Sequence, residues 1–192
     1  MARRRSRGPK NHAFRNKLLL NQWLISLFGI DPLREYALRG KTLRPFHVLA
    51  DPIKDPRMEG LDHDNLHRFY HNLVGSELFW NDTSLVSKEQ LLTYEQHIVS
   101  HTLKINEKRS RPIVWKYYQW LTLLFVEIYL DRYFNDREGL LSDLNAFVDR
   151  FNRHWTDYKD VPPYTLDDLN KFCLQSATGS GKTLVMHVNL LQ

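Results

Sequence analysis

The chain has 192 residues, 42% apolar and 12% aromatic, with 27 Lys and Arg against 22 Asp and Glu for a formal net charge of +5. That length and composition support a sizeable core and exclude a chain too polar to fold. One cysteine, Cys173, excludes an internal disulfide and suits a reducing cytosol. The longest apolar stretch, Trp120 to Leu130, is broken by Thr122 and Glu127 and falls short of the roughly 20 residues that span a bilayer.

The charge is unevenly placed. Residues 1–17 hold seven basic side chains and no acid; taking seven from 27 leaves 20 basic against 22 acidic residues, a net charge of −2. The basic character is therefore an N-terminal arm, 1–12, in which Arg3, Arg4, Arg5, Arg7 and Lys10 are candidate contacts to nucleic-acid phosphates. A solvated terminus is the other reading. No apolar leader follows the basic start, so a cytoplasmic, membrane-free protein is the expectation.

A helical domain is expected over 13–160. Phe14, Leu18, Leu19, Trp23, Leu24, Leu27 and Phe28 repeat at helical spacing from Ala13 to Phe28, and Gly29 stops the helix. Prolines and glycines punctuate 31–60, where a short helix near Leu33–Leu38 and an extended Phe46–Leu49 are expected. Helix returns over 61–80, weakened or ended at Gly75, with His63, His67 and His71 spaced four apart on one face. That spacing suits a metal or a row of exposed imidazoles, and His97 with His101 pose the same choice. Arg57 and His63 also have the loose spacing of a helical nuclease pair.

Ser87 with Gln90 forms a capping box that opens a helix running towards Asn106. The cluster Glu107 to Arg111 before Pro112 breaks it; its basic residues are either phosphate contacts or a solvated loop. Residues 113–134 are apolar nearly all round, with Lys116, Gln119, Glu127 and Asp131 on a narrow strip, the pattern of a central helix. Leu140 to Trp155 carries a third apolar stripe, with Asp136 or Ser142 as its cap. A proline-containing linker, 157–163, then marks a boundary. Thr165 and Asp168 open a short helix, and Phe172 to Gln175 reads as a strand in which Cys173 packs.

The stretch Thr178-Gly179-Ser180-Gly181-Lys182-Thr183 has the chemistry of a phosphate-binding loop. Two glycines reach backbone angles other residues resist and leave room for an anion at the amides. Lys182 can reach the β- and γ-phosphates, and the Thr183 hydroxyl can ligate Mg²⁺. Leu184 to Leu191 reads as the helix behind the loop, whose positive end favours an anion. The strict pattern has Gly where Ser176 stands.

Ala177 to Thr183 resembles motif I of the helicase and translocase superfamily that includes DEAD-box proteins. Pro163-Tyr164-Thr165, a short helix and then Gln175 to Thr183 together resemble the opening of the motor in type III restriction-like helicases. Trp115–Trp120 through Ile128–Phe134 is similar to the N-terminal region of bacterial DEAD/DEAH-type proteins, many of which serve in restriction or phage defence. The resemblance implies a mainly α chain in which 161–192 is the start of a RecA-like α/β domain: first strand, phosphate loop and helix. It implies ATP and Mg²⁺ as cofactors, bound by Thr178, Gly179, Ser180, Gly181, Lys182 and Thr183, with Lys182 and Thr183 catalytic and Thr183 on the metal. Nucleic acid, DNA first, and a partner subunit of a defence complex are the implied partners. Related motors have a Gln reading adenine where Thr165 stands. They also need a later Asp-Glu pair and a second RecA-like domain, so 1–192 alone is expected to be an incomplete motor with little ATP turnover. The competing readings are a phosphate-loop NTPase that does not act on nucleic acid, and a helical module that binds a protein or DNA.

Overall fold

The computed structural model describes residues 18–38, 40–79, 83–156, 160–171, 173 and 179–190. It is mainly helical, and the described residues contain a single two-stranded sheet. The elements run α1 (Leu19–Ser26), β1 (Tyr36–Leu38), β2 (Lys41–Leu43), α2 (Pro45–Ala50), α3 (Arg68–Val74), α4 (Lys88–Asn106), α5 (Tyr117–Asn135), α6 (Arg137–His154) and α7 (Lys182–Asn189). None of these helices is long and apolar enough to cross a membrane.

The centre is α5. Trp120, Leu121, Leu123, Leu124, Phe125, Val126, Ile128 and Tyr129 are all buried, as a helix surrounded by other elements requires. Helices α4, α6 and α7 pack against it, and α1 packs on α6. The expected capping box opens α4: Gln90 N–H donates to Ser87 Oγ at 3.2 Å, and Ser87 N–H to Gln90 Oε1 at 2.9 Å. Asp136 caps α6 by accepting the Gly139 N–H at 3.1 Å. The connection from α4 to α5 is pinned at its base, where Asn106 Oδ1 accepts the Ile113 N–H at 2.9 Å. Buried Trp115 donates its indole N–H to Thr102 Oγ1, also at 2.9 Å.

Three expectations fail between residues 31 and 80. Leu33–Leu38 is not a helix. Its end is β1, paired antiparallel with β2 in the register Tyr36↔Leu43, and Gly40 at φ +72° turns the chain back. Phe46–Leu49 is not extended but lies in α2, because Pro45 at its first turn has a φ ready for helix. Helix over 61–80 shrinks to α3. The Asp62 carboxylate takes the N–H groups of Asp64 (2.9 Å) and Leu66 (3.0 Å) and holds 62–66 as a turn. At the other end α3 gives way at Gly75. Of α1, the part from Ala13 to Lys17 lies outside the described residues.

The described part of the expected linker is strapped along α6. Asn152 pairs with Val161 through two hydrogen bonds of 2.9 Å each, Nδ2 donating to the Val161 carbonyl and Oδ1 accepting the Val161 N–H. Seven residues earlier, Asn145 grips Tyr164 the same way at 3.1 and 2.7 Å. Arg137 then donates to the Leu166 carbonyl at 2.7 Å and to Asn170 Oδ1 at 2.9 Å. These contacts hold 161–170 along the length of α6.

Candidate functional site

Gly179 and Gly181 have φ of +78° and +85°, values that L side chains adopt only with strain. Gly181 is the N-cap of α7, and its carbonyl accepts the N–H groups of Leu184 and Val185 at 3.0 and 3.1 Å. The helix therefore starts at Lys182, and the N–H groups of Lys182 and Thr183 have no partner within it. Val185 and Val188 are buried against the helical layer and fix the axis of α7. Lys182 and Thr183 are exposed in its first turn. The structure thus brings Gly179, Ser180, Gly181, Lys182 and Thr183 together as one turn. Thr178 lies outside the described residues, as do Arg3, Arg4, Arg5, Arg7 and Lys10.

Beside this turn is a cavity of about 490 Å³, within the range of small-molecule sites. Tyr118, Gln119, Tyr164, Lys171, Ser180 and Lys182 contribute to its walls. Burial pushes the Tyr164 phenol above its ordinary value, with the nearby Asp168 carboxylate adding to the shift. The cavity therefore offers two cations and aromatic surface at the mouth of the glycine turn. The donor set fits an implied nucleotide: Lys182 lines the cavity as a cation, the exposed Thr183 beside it carries a hydroxyl of the kind that ligates Mg²⁺, and a Cβ built on Gly179 meets nothing within 4 Å, which leaves room for an anion.

The segment before the turn differs from expectation. Cys173 is exposed rather than packed in a strand, and it stands at the edge of the cavity. The described residues contain no sheet next to it that could cover its thiol, since β1 and β2 pair only with each other. Phe172, Leu174 and Gln175 lie outside the described residues. The short helix expected to be capped by Thr165 is a 3-10 turn over Asp168–Asn170 that begins at Asp168, with Asp167 at its N-cap. Asp168 Oδ2 accepts the Thr165 hydroxyl at 2.7 Å and the Thr165 N–H at 2.8 Å, and these bonds hold its carboxyl below the ordinary value.

The histidines do not form a row. His63 sits in a turn beside Asp64 (3.3 Å), His67 caps α3, and only His71 is within that helix. Asp62, Asp64 and His71 place three possible ligand atoms within 4.8 Å of one another, at the surface. Arg57 is held by Asp55, whose carboxyl is pushed down to about 2 by that guanidinium, and not by His63. His67 instead enters the core with Glu95, which is 0% exposed. Glu95 Oε1 accepts the His67 N–H at 2.6 Å and stands 2.7 Å from its Nδ1. Glu95 Oε2 accepts the Trp120 indole N–H at 2.8 Å.

His97 and His101 face buried Glu127 on α5, at 3.2 and 3.9 Å. The second distance is beyond hydrogen-bond reach, so burial outweighs the carboxylate's pull. Burial, with Lys104 and His97 adding repulsion, lowers the His101 pKa. A base with a lowered pKa takes up its proton later in the folded state than in the unfolded one, so stability falls as pH drops through about 6.5. Urea melts of wild type and His101→Gln at pH 7.5 and 5.5 check this. The wild type is expected to lose stability on acidification, and the variant to lose measurably less. Equal losses would remove His101 as the cause.

Two residues at the site carry no chemical motif. Gln119 donates from Nε2 to the Ser180 carbonyl at 2.7 Å, and Lys116 pairs with Glu59 at 2.8 Å. Their signal in the sequence is the narrow polar strip on an otherwise apolar helix. No protein-family model, no curated protein and no solved structure matches the chain.

Proposed function

We propose that the chain binds a nucleoside triphosphate with Mg²⁺ through Gly179–Thr183 and is the nucleotide-binding opening of an ATP-dependent nucleic-acid motor of the restriction or phage-defence kind. The observation that carries the phosphate part is the pair of left-handed glycines set directly before exposed Lys182 at the start of α7. Bound Mg·ATP supplies a cleavable phosphoanhydride and the metal's charge. The chain supplies position and electrostatics. Amides of the glycine turn and the first turn of α7 donate to phosphate oxygens. Lys182 neutralises the outer phosphates, and Thr183 offers its hydroxyl to the metal. In this reading 161–192 is the start of a RecA-like domain.

The nucleic-acid part rests on charge. Arg3, Arg4, Arg5, Arg7 and Lys10 form one basic element. The last turn of α4 presents Lys104, and the segment after it presents Lys108, Arg109 and Arg111, all exposed, on the base pinned by Asn106 and Trp115.

Calorimetric titration of the full chain tests the reading. ATP with Mg²⁺ is expected to bind on the order of 100-fold tighter than adenosine, because the triphosphate makes the charge-assisted contacts. Equal affinities would sink the phosphate site. DNA is expected to bind with an affinity that falls steeply with salt. ATP binding without DNA binding would favour an NTPase that acts on another partner.

A further inference from the structure

Residues outside the glycine turn hold it in shape. Gln119, in the first turn of α5, uses both ends of its side-chain amide. Oε1 accepts the Lys116 N–H at 2.9 Å and closes the start of α5. Nε2 donates to the Ser180 carbonyl at 2.7 Å across 61 residues of sequence. A Cβ added to Gly181 would lie 2.3 Å from that same Nε2, so the amide fills the space on the inner side of the Ser180–Gly181 peptide. A trans peptide points its C=O and its N–H in opposite directions. With the Ser180 oxygen tied to α5, the Gly181 N–H is turned away from α5. The cap bond and the clamp bond share one planar amide, so neither can rotate freely without breaking the other.

We infer that Gln119 is a positioning residue for phosphate: its amide clamps the Ser180 carbonyl to α5 and so presets the outward Gly181 N–H that an anion receives. The inference rests on the phosphate-loop reading above and deepens it. It makes the helical layer part of the nucleotide site. The Lys116–Glu59 pair ties the same α5 terminus to the 56–60 turn, so the start of α5 is held from two sides. Displacing that terminus would release the loop without touching Lys182 or Thr183. The nucleotide affinity of the chain then depends on how α5 sits against α7.

The test measures dissociation constants for Mg·ATP and for adenosine on wild type, Gln119→Met and Gln119→Glu. Methionine matches the length of the side chain and removes both hydrogen bonds. Glutamate keeps the acceptor for the Lys116 N–H, so α5 stays capped, but cannot donate to Ser180. Both variants are expected to weaken ATP binding about 5- to 10-fold, the effect of one lost hydrogen bond or somewhat more, and adenosine binding by a clearly smaller factor. A purely structural role would lower Tm and leave the ratio of the two affinities where it was. ATP binding within twofold of wild type in either variant, or an equal loss for adenosine, overturns the inference. A wild type without preference for ATP overturns the site itself and the inference with it.

Discussion

Glu95→Ala is expected to destabilise the protein by about 3–5 kcal/mol, the largest loss for a single change on α4. Glu95 is fully buried, and three donors converge on its two oxygens: the His67 N–H, the His67 ring and the Trp120 indole. Each donor is itself out of water, since His67 is 3% and Trp120 1% exposed. Alanine leaves all three unsatisfied, and each unsatisfied buried donor costs roughly 1–3 kcal/mol. It also leaves a cavity that the tightly packed Phe69 and Trp120 rings, 5.7 Å apart, cannot easily collapse into. A chain of this size loses a few degrees of Tm per kcal/mol, so the melting point falls by on the order of 10 °C. Gln96→Ala, one position along on the exposed face, is expected to stay within about 0.5 kcal/mol of wild type. A Glu95→Ala melt as high as that of Gln96→Ala would show that the cluster contributes little. The cluster also couples the layers, because His67 starts α3, Glu95 lies in α4 and Trp120 in α5. Its loss is expected to loosen α3 first.

The long helices were legible in the sequence because their signals are local. Ser87 and Gln90 mark the start of α4 by their own hydrogen bonds, and the all-round apolar face of α5 demands burial. The two loop glycines announced backbone angles that the structure realises. Residues 31–80 were not legible because tertiary partners decide them. The Asp62 side chain captures N–H groups that a longer helix would have used internally, and the β1–β2 hairpin forms where apolar periodicity is too short to separate strand from helix. Glu95 shares the inward stripe of α4 with Leu91, Ile98 and Val99, but nothing local names its partners, and only the fold brings His67 and Trp120 to it. Gln119 was visible as part of a polar strip, but nothing local to Lys116–Trp120 points to Ser180, 61 residues away. The site is thus half written in one contiguous motif and half in side chains whose role depends on packing.

Lys182→Ala is expected to weaken Mg·ATP binding by roughly 10- to 100-fold while leaving the melting temperature nearly unchanged. The size follows from a hydrogen bond to a charged group in a partly enclosed site, about 1.5–3 kcal/mol. The unchanged fold follows from how α7 is held. Its anchors are Val185 and Val188, which face the core, and the Gly181 carbonyl, which starts the helix through backbone bonds alone. Lys182 is exposed, and alanine at the first helical position keeps the helix. Val188→Asp makes the converse case: a buried, unpaired charge is expected to detach α7 from α4 and α5, lowering Tm and abolishing nucleotide binding together. Lys182→Arg separates point charge from geometry, because the planar guanidinium is longer and forked and does not replace an ammonium aimed between two phosphates. It is expected to recover little of the affinity. If Lys182→Ala bound ATP as tightly as wild type, then the glycine turn would be a structural turn only, and the cavity beside Tyr118 and Tyr164 would have to be read without a phosphate at its mouth.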